Sequence, residues 1–239
     1  MAGYLSSRGW AEASAGNISV LLAPSRSPGA GSDEFPLQVP VPDLEGRMLA
    51  VTRSGSRMRK LDAEPGRDVL LLRISRGGCS LRGTSSGARP TIEISSHVLA
   101  HLAAARSGWE SSAVIHVHTP SLLTISACSR SGRTLESSVR RAHPEVDLLL
   151  GGAVRFLDYL PPGAPALALA TGEAFAGAAR VVVWRGHGVT GLGRNLDEAC
   201  DAVEIVEAAA SLMVRRAAMT GGFGGFATPG RRRSKGRAR

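Results

Sequence analysis

The sequence predicts a single α/β domain built around a largely antiparallel central sheet. Short β-branched apolar runs recur along the chain, separated by turns rich in glycine, proline and serine. Segments with apolar residues at helical spacing lie between several of these runs. In the first half of the chain, neighbouring strand-like runs are joined by links of hairpin length, which favour antiparallel pairing. The length of 239 residues suits one domain with its own core.

The predicted elements follow from these two periodicities. Strands are expected within residues 10–23 and at 48–52, 69–75, 113–117, 148–150 and 181–184. Residues 24–46 are rich in proline, glycine and acidic side chains, which indicates a surface excursion. Helices are expected from Thr91 to a stop at Gly108, and over 121–127 and 167–178. A turn is expected over 159–163.

The last predicted helix has the clearest boundaries. Asn195 can accept a hydrogen bond at its N-terminus, and Glu198 follows three residues later, as in a capping box. Apolar residues then recur at helical spacing as far as Met213, and Gly221 lies beyond the expected end. The pattern predicts a long helix with one buried face.

Composition and cysteine usage indicate a protein of a reducing compartment. Hydrophobic residues make up 43% and charged residues 21%, as in ordinary globular proteins. No apolar run approaches the roughly 18–20 residues that a membrane span needs, and the first residues lack the pattern of a signal peptide. The three cysteines are widely spaced and odd in number, so they cannot all pair within the chain. A cytoplasmic protein without membrane contact is expected.

The net charge of +9 is concentrated at the C-terminus. Six of these charges come from residues 231–239, which leaves three for the rest of the chain. The preceding segment, Gly-Gly-Phe-Gly-Gly-Phe, has the composition of a flexible linker. We therefore predict a domain over residues 1–220 and a flexible basic tail over 221–239. A nucleic-acid-binding arm is disfavoured, because the body shows no basic stripe with interleaved aromatic residues.

The most informative motif is His116-Val117-His118, at the end of an apolar, β-branched run. Residues i and i+2 of a strand point to the same side, so both imidazoles leave one face of the sheet. His187 follows another apolar run, residues 181–184, and is flanked by Gly186 and Gly188, which permit close approach. Three imidazoles with an exchangeable fourth position suit a catalytic zinc site. The alternative is that each histidine is an ordinary hydrogen-bonded core residue.

Six segments resemble, in the same order, the class II aldolase and adducin-head family. They read Gly-Trp-Ala-Glu-Ala-Ser-Ala-Gly-Asn-Ile-Ser, Val-Thr-Arg-Ser-Gly, Pro-Thr-Ile-Glu-Ile-Ser-Ser-His, Val-Ile-His-Val-His-Thr-Pro, Trp-Arg-Gly-His-Gly-Val and Leu-Asp-Glu-Ala. The resemblance runs from about residue 9 to 215 and is greatest to the zinc-dependent rhamnulose-1-phosphate aldolases of that family. It implies a three-layer α/β/α fold around the sheet.

The resemblance also implies roles for individual residues. By this likeness His116, His118 and His187 hold Zn²⁺, and Glu93 is a fourth ligand that becomes the acid/base when substrate displaces it. A Lewis-acidic metal would polarise the carbonyl of a ketose phosphate, and a neighbouring carboxylate is a natural base for the adjacent carbon. The alternative for Glu93 is a first-turn glutamate stabilised by the helix N-terminus.

Five further residues are implied to line a phosphate pocket, because they offer hydroxyl, amide and backbone donors in turns or at a helix start: Ser14, Gly16, Asn17, Ser54 and Thr91. These turns could equally be plain turns. One position departs from the family, which commonly has serine before the catalytic glutamate, whereas this chain has Ile92. That departure removes a hydroxyl donor from the implied pocket.

Family members form tetramers with the site between subunits, so a homo-oligomer is implied. Glu145 lies near the position from which such an aldolase places a carboxylate in a neighbour's site to move the proton on the aldehyde oxygen. The alternative is a surface glutamate without a catalytic role.

The function implied is reversible cleavage of L-rhamnulose 1-phosphate, or a related ketose 1-phosphate, to dihydroxyacetone phosphate and L-lactaldehyde. Fuculose-phosphate aldolase, ribulose-phosphate 4-epimerase and methylthioribulose-phosphate dehydratase activities are alternatives within the family. A non-catalytic adducin-like interaction domain, with the basic tail as its contact element, is disfavoured because this chain retains three histidines and a glutamate.

Overall fold

Strands of the described residues form one nine-stranded sheet in the computed structural model of the protein. The structure describes residues 1–24, 33–37, 39–82, 87–128 and 131–222. The strands are β1 (Asn17–Leu21), β2 (Glu34–Pro36), β3 (Met48–Thr52), β4 (Val69–Ile74), β5 (Gly78–Arg82), β6 (Ser112–Val117), β7 (Val154–Leu157), β8 (Val181–Trp184) and β9 (Gly188–Gly193).

The strand order is β2-β5-β4-β3-β1-β6-β9-β8-β7. Every neighbouring pair is antiparallel except β7 and β8, which run parallel. The parallel pair arises because a crossover helix connects these two strands, whereas short hairpin links join β4 to β5 and β8 to β9. The sheet is therefore mixed, and the prediction of a largely antiparallel sheet in an α/β domain is confirmed.

Nine α-helices and one short 3₁₀ helix, Pro42–Leu44, occur in the described residues. The α-helices are α1 (Ala2–Ser7), α2 (Met58–Leu61), α3 (Pro65–Asp68), α4 (Ile94–Arg106), α5 (Pro120–Cys128), α6 (Gly132–Ala142), α7 (Glu145–Leu150), α8 (Pro165–Ala176) and α9 (Leu196–Thr220). α5, α6 and α7 pack on α9 at one face of the sheet, and α4 and α8 pack together at the other.

The alternation of side chains along β6 shows how the two helical layers share the sheet. Ala113, Ile115 and Val117 join a buried cluster with the apolar face of α9, whereas Val114 packs with residues of α4 and α8. Both faces of this central strand are buried, as all six of its residues are. The three-layer α/β/α arrangement is confirmed, with the sheet in the middle.

α9 lies directly on the backbone of β9, because β9 carries glycines where the helix crosses it. A Cβ added at Gly191 would lie 2.5 Å from the carbonyl oxygen of Ala199, so no larger residue fits there without a shift. The predicted cap is present: the Asn195 side-chain oxygen accepts the backbone N–H of Glu198 at 2.9 Å. Gly221 ends the helix with a φ of +74°.

One predicted strand is wrong. Residues 148–150 belong to α7, and the strand of this region is β7, a few residues later. Val146 and Leu150, four residues apart, are buried, whereas Leu148 and Leu149 are 74% and 63% exposed. The apolar run is thus one turn of an amphipathic helix, and a three-residue run contains too little periodicity to tell the two apart.

Helix α4 begins three residues later than predicted. Residues 92–93 form a turn, and Glu93 occupies the N-cap position without its side chain capping the helix. The helices predicted over 121–127 and 167–178, and the turn over 159–163, are present within a residue or two. The short α1 near the start of the chain was not predicted.

Several sequence-based expectations concern residues that the structure leaves undescribed. Residues 223–239, which hold nearly all of the predicted basic tail, lie outside the described ranges, as do residues 25–32 of the predicted surface excursion. The division of the chain at residue 220 stays a prediction, although α9 ends at Thr220. Within the described ranges, we find no helix with the length and apolar character that crossing a membrane requires. The three cysteines are free thiols.

Candidate functional site

Two neighbouring strands deliver the three candidate histidines to one point. His116 lies near the end of β6, and His118 follows the strand directly. His187 lies in the tight turn between β8 and β9, where its backbone N–H donates to the carbonyl oxygen of Trp184 at 2.9 Å. β6 pairs with β9, which brings this turn against the end of β6. The sheet register therefore assembles residues that are about 70 positions apart.

The three imidazoles are close enough to share one ion. One nitrogen from each ring lies within 4.8 Å of the others. The ring centroids of His116, His118 and His187 are separated by 4.9, 5.2 and 5.6 Å. His116 also lies against the indole of Trp184, with 4.5 Å between ring centroids. The predicted convergence of the three histidines is present in the described structure.

Glu93 reaches this cluster from the N-terminus of α4. One carboxylate oxygen lies 3.0 Å from Nε2 of His187, and the other lies 3.6 Å from Nε2 of His116. The side-chain amide of Asn17 donates to the second oxygen at 2.7 Å. Asn17 is placed for this contact because β1 pairs with β6 and sets it opposite His116. Glu93 is buried, so its position is defined from three sides.

Burial and charge act in opposite directions on Glu93. Burial raises the pKa of Glu93, but His116 and the hydrogen bonds from His187 and Asn17 more than offset that effect. The net result is a pKa well below the usual range, so this carboxylate is ionised at neutral pH. Burial lowers the pKa of His116 to about 3, although Glu93 opposes the shift. His116 is therefore a neutral imidazole, the form that binds metals.

The hydrogen bonds of the rings determine which nitrogens are free for a ligand. Nδ1 of His116 lies 3.1 Å from the carbonyl oxygen of Val189, which can only accept, so Nδ1 carries the proton. Nδ1 of His118 lies 3.0 Å from a carboxylate oxygen of Glu12, which assigns the proton there in the same way. In both rings, Nε2 is the nitrogen left for a ligand, as in metal sites whose histidines donate to an outer acceptor.

The donor set fits a divalent metal such as zinc. Three imidazole nitrogens and a carboxylate oxygen are ligands that Zn²⁺ accepts. Nδ1 of His187 is shielded from water and has no hydrogen-bond partner in the described residues, which makes it an orphaned buried nitrogen of the kind that a metal ion could satisfy. A Cβ added at Gly188 would lie 2.7 Å from Cε1 of His116 and 2.8 Å from Cδ2 of His118. Glycine at this position therefore keeps open the space in which the rings meet.

A cavity of about 360 Å³ opens next to the histidine cluster. All five residues implied for phosphate binding line it, namely Ser14, Gly16, Asn17, Ser54 and Thr91. Arg53 and Pro162 line it as well, and sequence reasoning assigned neither of them to the site. Arg53 lies within the quoted Val-Thr-Arg-Ser-Gly motif, so the signal for it was present in the sequence.

Thr91 links the polar wall of the cavity to Glu93. Its hydroxyl oxygen accepts from the Asn17 amide at 3.1 Å and from the backbone N–H of Glu93 at 3.3 Å. Ile92, which follows Thr91, is 66% exposed and also lines the cavity. Its apolar side chain occupies the place where the family commonly has a hydroxyl, so Thr91 is the hydroxyl donor that this segment offers.

Glu145 is not part of this cavity in its own chain. It begins α7, is partly buried, and its backbone N–H donates to Nδ1 of His143 at 3.2 Å. Its implied role requires a neighbouring subunit, so that role stays a prediction.

Comparison with known proteins agrees with this geometry. Residues 1–214 match the family model described as Class II Aldolase and Adducin N-terminal domain. The chain belongs to the class II aldolase and adducin family. A rhamnulose-1-phosphate aldolase from Enterococcus faecalis is 29% identical over 213 residues, which cover 85% of this chain and 76% of that protein.

Solved structures of the class II aldolase type share the fold. A sugar-phosphate aldolase from Thermotoga maritima aligns with a TM-score of 0.77 and 29% identity, covering 91% of this chain and 92% of that one. The L-fuculose-1-phosphate aldolase from Thermus thermophilus has a TM-score of 0.61 at 20% identity, covering 92% of both chains, and shows the fold alone. The prediction of an aldehyde-lyase enzyme is confirmed at the level of the family. Class II aldolases depend on a metal ion, and the histidine cluster is a place that could hold one.

Proposed function

We propose that this class II aldolase uses zinc to cleave L-rhamnulose 1-phosphate reversibly to dihydroxyacetone phosphate and L-lactaldehyde. The observation that carries the proposal is the meeting of three imidazoles with the buried Glu93 beside a cavity lined by hydroxyl and amide groups. The rhamnulose-1-phosphate aldolase names of relatives at 25–29% identity support the choice of substrate.

In this proposal, His116, His118 and His187 hold Zn²⁺, and Glu93 completes the resting site. The ion supplies Lewis acidity at the ketone oxygen of the substrate. The chain's contribution is to orient these rings: burial keeps His116 unprotonated, and Val189 and Glu12 select the nitrogens of His116 and His118 that are left for the ion.

Glu93 is the proposed acid/base. In the synthetic direction its carboxylate removes a proton from the carbon next to the ketone, and in cleavage its acid form returns that proton. Asn17 and Thr91 keep the carboxylate beside the cluster while it changes protonation state. Burial excludes water from Glu93, so the proton is exchanged with the substrate in preference to solvent.

The phosphate group of the substrate is assigned to the polar wall of the cavity. The hydroxyls of Ser14, Ser54 and Thr91, the Asn17 side chain and the backbone at Gly16 are its proposed donors. Gly16 has a φ of +77°, and a Cβ added there would lie 3.0 Å from the carbonyl oxygen of His116. The turn thus lies tightly against β6, next to the proposed metal ligands.

The reaction is tested with metal analysis and a panel of substrates. Purified protein should contain about one zinc per chain, and dihydroxyacetone phosphate should be released from L-rhamnulose 1-phosphate in preference to the fucose- and ribulose-derived phosphates. His187→Ala should lose both zinc and turnover. Glu93→Gln should lower kcat by about a hundredfold or more, since general acid/base catalysis contributes roughly 10²–10⁴. Glu173→Gln, an exposed carboxylate on α8, is the matched control and should retain activity.

Each outcome of this test separates one alternative. Full turnover by metal-free protein would contradict the zinc mechanism. Epimerisation or dehydration of a ketose phosphate would keep the metal site and replace the reaction. Absence of turnover on every phosphate, with a partner protein lost on deletion of residues 223–239, would support the adducin-like alternative instead.

The proposal includes a cytoplasmic homotetramer in which Glu145 of one subunit serves the site of the next. Light scattering should then give about four times the monomer mass of 24.9 kDa. Glu145→Gln should lower kcat without changing zinc content, whereas a monomer with unchanged kcat would contradict this part of the proposal. Removal of residues 223–239 should leave turnover intact, because the proposed site lies within residues 1–220.

A further inference from the structure

Arg53 is the one cationic side chain among the described residues that line the cavity, apart from the histidines of the cluster. A substrate phosphate brings about −1.5 to −2 charges at neutral pH, as phosphate monoesters do. Glu93 adds a negative charge to the same cavity and would offset part of the charge of the proposed Zn²⁺. Hydroxyls and backbone N–H groups can donate hydrogen bonds to phosphate, but they cannot balance its charge. Arg53 is therefore the side chain that could balance the charge of the phosphate.

The backbone places Arg53 beside the other residues proposed to bind phosphate. It follows β3 directly and precedes Ser54, and an isolated antiparallel bridge pairs it with Pro90, the residue before Thr91. The backbone N–H of Ser54 donates to the carbonyl oxygen of Arg89 at 2.8 Å, which ties the two segments together. Arg53 thus lies between two of the turns that carry the phosphate-binding hydroxyls.

Asp68 holds the guanidinium in one orientation. Nη2 of Arg53 donates to a carboxylate oxygen of Asp68 at 3.0 Å, and the Arg53 backbone N–H donates to the Asp68 carbonyl at 2.8 Å. Asp68 is 6% exposed, whereas the Arg53 side chain is 32% exposed. This one side-chain hydrogen bond to a buried carboxylate lowers the entropy that the Arg53 side chain would lose on binding a ligand.

The guanidinium still has donors to offer. Its Nε–H is shielded from water and has no acceptor among the described residues. A buried N–H without a partner is unfavourable, so a shift of the side chain that brings it to a phosphate oxygen would improve its environment. Phosphate oxygens suit a planar guanidinium, because two neighbouring N–H groups can donate to two oxygens at once.

We propose that Arg53, oriented by Asp68, binds the phosphate group of the substrate and makes the site selective for phosphorylated ketoses over their unphosphorylated forms. The inference deepens the proposed aldolase function and rests on it for the identity of the phosphate ester. The phosphate contact itself can be measured apart from that function.

Glycerol phosphate is a suitable probe, because it carries the phosphate ester without the ketone on which the reaction depends. Its affinity for the zinc-loaded protein can be measured by calorimetry. Arg53→Met should weaken binding by about tenfold to a hundredfold, the range expected for loss of a charge-assisted hydrogen bond. Arg53→Lys should weaken binding less, since lysine keeps the positive charge and loses only the paired N–H groups of the guanidinium. Arg57→Met removes the same charge from an exposed site outside the cavity and should bind within twofold of the unchanged protein.

Zinc content and binding of unphosphorylated dihydroxyacetone should be the same in Arg53→Met as in the unchanged protein, which separates a phosphate contact from damage to the metal site. A second measurement needs no variant. Glycerol phosphate should slow modification of Arg53 by an arginine-selective dicarbonyl reagent, read by peptide mass spectrometry, and should leave Arg57 unaffected.

Unchanged glycerol phosphate affinity in Arg53→Met, or modification of Arg53 at the same rate with and without the probe, would overturn the inference. These results are independent of turnover. If no sugar phosphate is cleaved but binding still depends on Arg53, the aldolase proposal fails and the phosphate assignment stands. If cleavage occurs but phosphate binding does not depend on Arg53, the assignment of Arg53 fails and the aldolase proposal stands.

Discussion

At the scale of single residues, a carboxylate outside the cavity determines which ring nitrogen of His118 faces the site. Glu12 accepts from Nδ1 of His118 at 3.0 Å, which leaves Nε2 on the other side of the ring as the nitrogen for a ligand. Glu12 does not line the cavity, and its side chain is 63% exposed. Its effect on the site therefore acts through the ring of His118 alone.

Glu12→Ala should weaken zinc binding by about tenfold, since outer partners of metal-bound histidines typically contribute 10–100-fold and this partner is exposed. Glu12→Gln keeps an oxygen acceptor and should lose less. Competition with a chromogenic chelator measures the affinity, and Glu173→Ala is the exposed control. Equal affinities for Glu12→Ala and the unchanged protein would show that His118 is oriented by the backbone without help from Glu12.

The residues of the proposed site were predictable from the sequence to the extent that their chemical type and local setting marked them. His116 and His118 lie at the end of an apolar strand and His187 follows another, whereas Ser14 and Ser54 lie in turns, so local pattern indicated them. Arg53 was passed over because an arginine in a turn can point to solvent. Only the contact with Asp68, fifteen residues away in sequence, determines the direction of its side chain.

At the scale of elements, helix α5 begins two residues after His118 and is anchored by a residue of α9. The buried carboxylate of Glu207 accepts from the backbone N–H groups of Ser121 and Leu122, both at 2.9 Å. These N–H groups belong to the first turn of α5, where a helix has no internal acceptor for them. α9 thus holds the segment that follows the metal-site motif.

Glu207→Ala should lower the free energy of unfolding by about 2–4 kcal/mol, because it removes two charge-assisted bonds and leaves buried donors without an acceptor. Asp201→Ala, exposed on the same helix, is the control and should change stability by less than about 0.5 kcal/mol. Urea unfolding of both variants measures the difference. A loss as small as that of the control would mean that water replaces Glu207 at this helix end.

The elements show where local pattern suffices and where it fails. α9 was predictable with its cap, because 25 residues contain many repeats of the helical period and Asn195 marks the start. α7 was not, since its six residues form less than two turns and contain a run of three leucines that is equally typical of a strand. The length of the helix is therefore the physical reason why α9 was predictable and α7 was not.

At the scale of the whole molecule, a buried polar chain joins α4 to the centre of the sheet. Ser19 on β1 lies 2.6 Å from Nδ1 of His97 and 2.7 Å from Nε2 of His101, and Nδ1 of His101 lies 2.7 Å from the Ser112 hydroxyl on β6. All four residues are fully or almost fully buried. Burial lowers the pKa of His97 to about 4 and the pKa of His101 well below its usual value.

These two histidines should make the fold sensitive to acid. The unfolded chain binds protons at the ordinary histidine pKa of about 6.5, whereas the folded chain does not until the pH is much lower. Stability is therefore complete above pH 6.5 and falls as the pH decreases toward 4. For His97 alone the loss is about 3 kcal/mol, since one pKa unit corresponds to about 1.4 kcal/mol.

Urea unfolding of metal-free protein between pH 7.5 and 4.5 tests this expectation. The urea concentration at the midpoint should decrease steadily below pH 6.5. His97→Gln should make this decrease smaller, because one buried group that takes up a proton on unfolding has been removed. His116 acts in the same direction, so His116→Ala is the variant that separates its contribution. A midpoint that is constant over this range would contradict the buried, neutral state of His97 and His101.

The sequence alone determined the fold class, about half of the helices and strands, and the chemical types of the site residues. Periodicity, capping and turn formation depend on residues that are close in sequence, so they can be recognised without coordinates. Tertiary structure alone decided which side chains meet. Glu93 contacts Asn17 across 76 residues, and the ring tautomers, the lowered pKa of Glu93 and the orientation of Arg53 all depend on such contacts. Burial and distance are properties of the packed chain, and no local pattern specifies them.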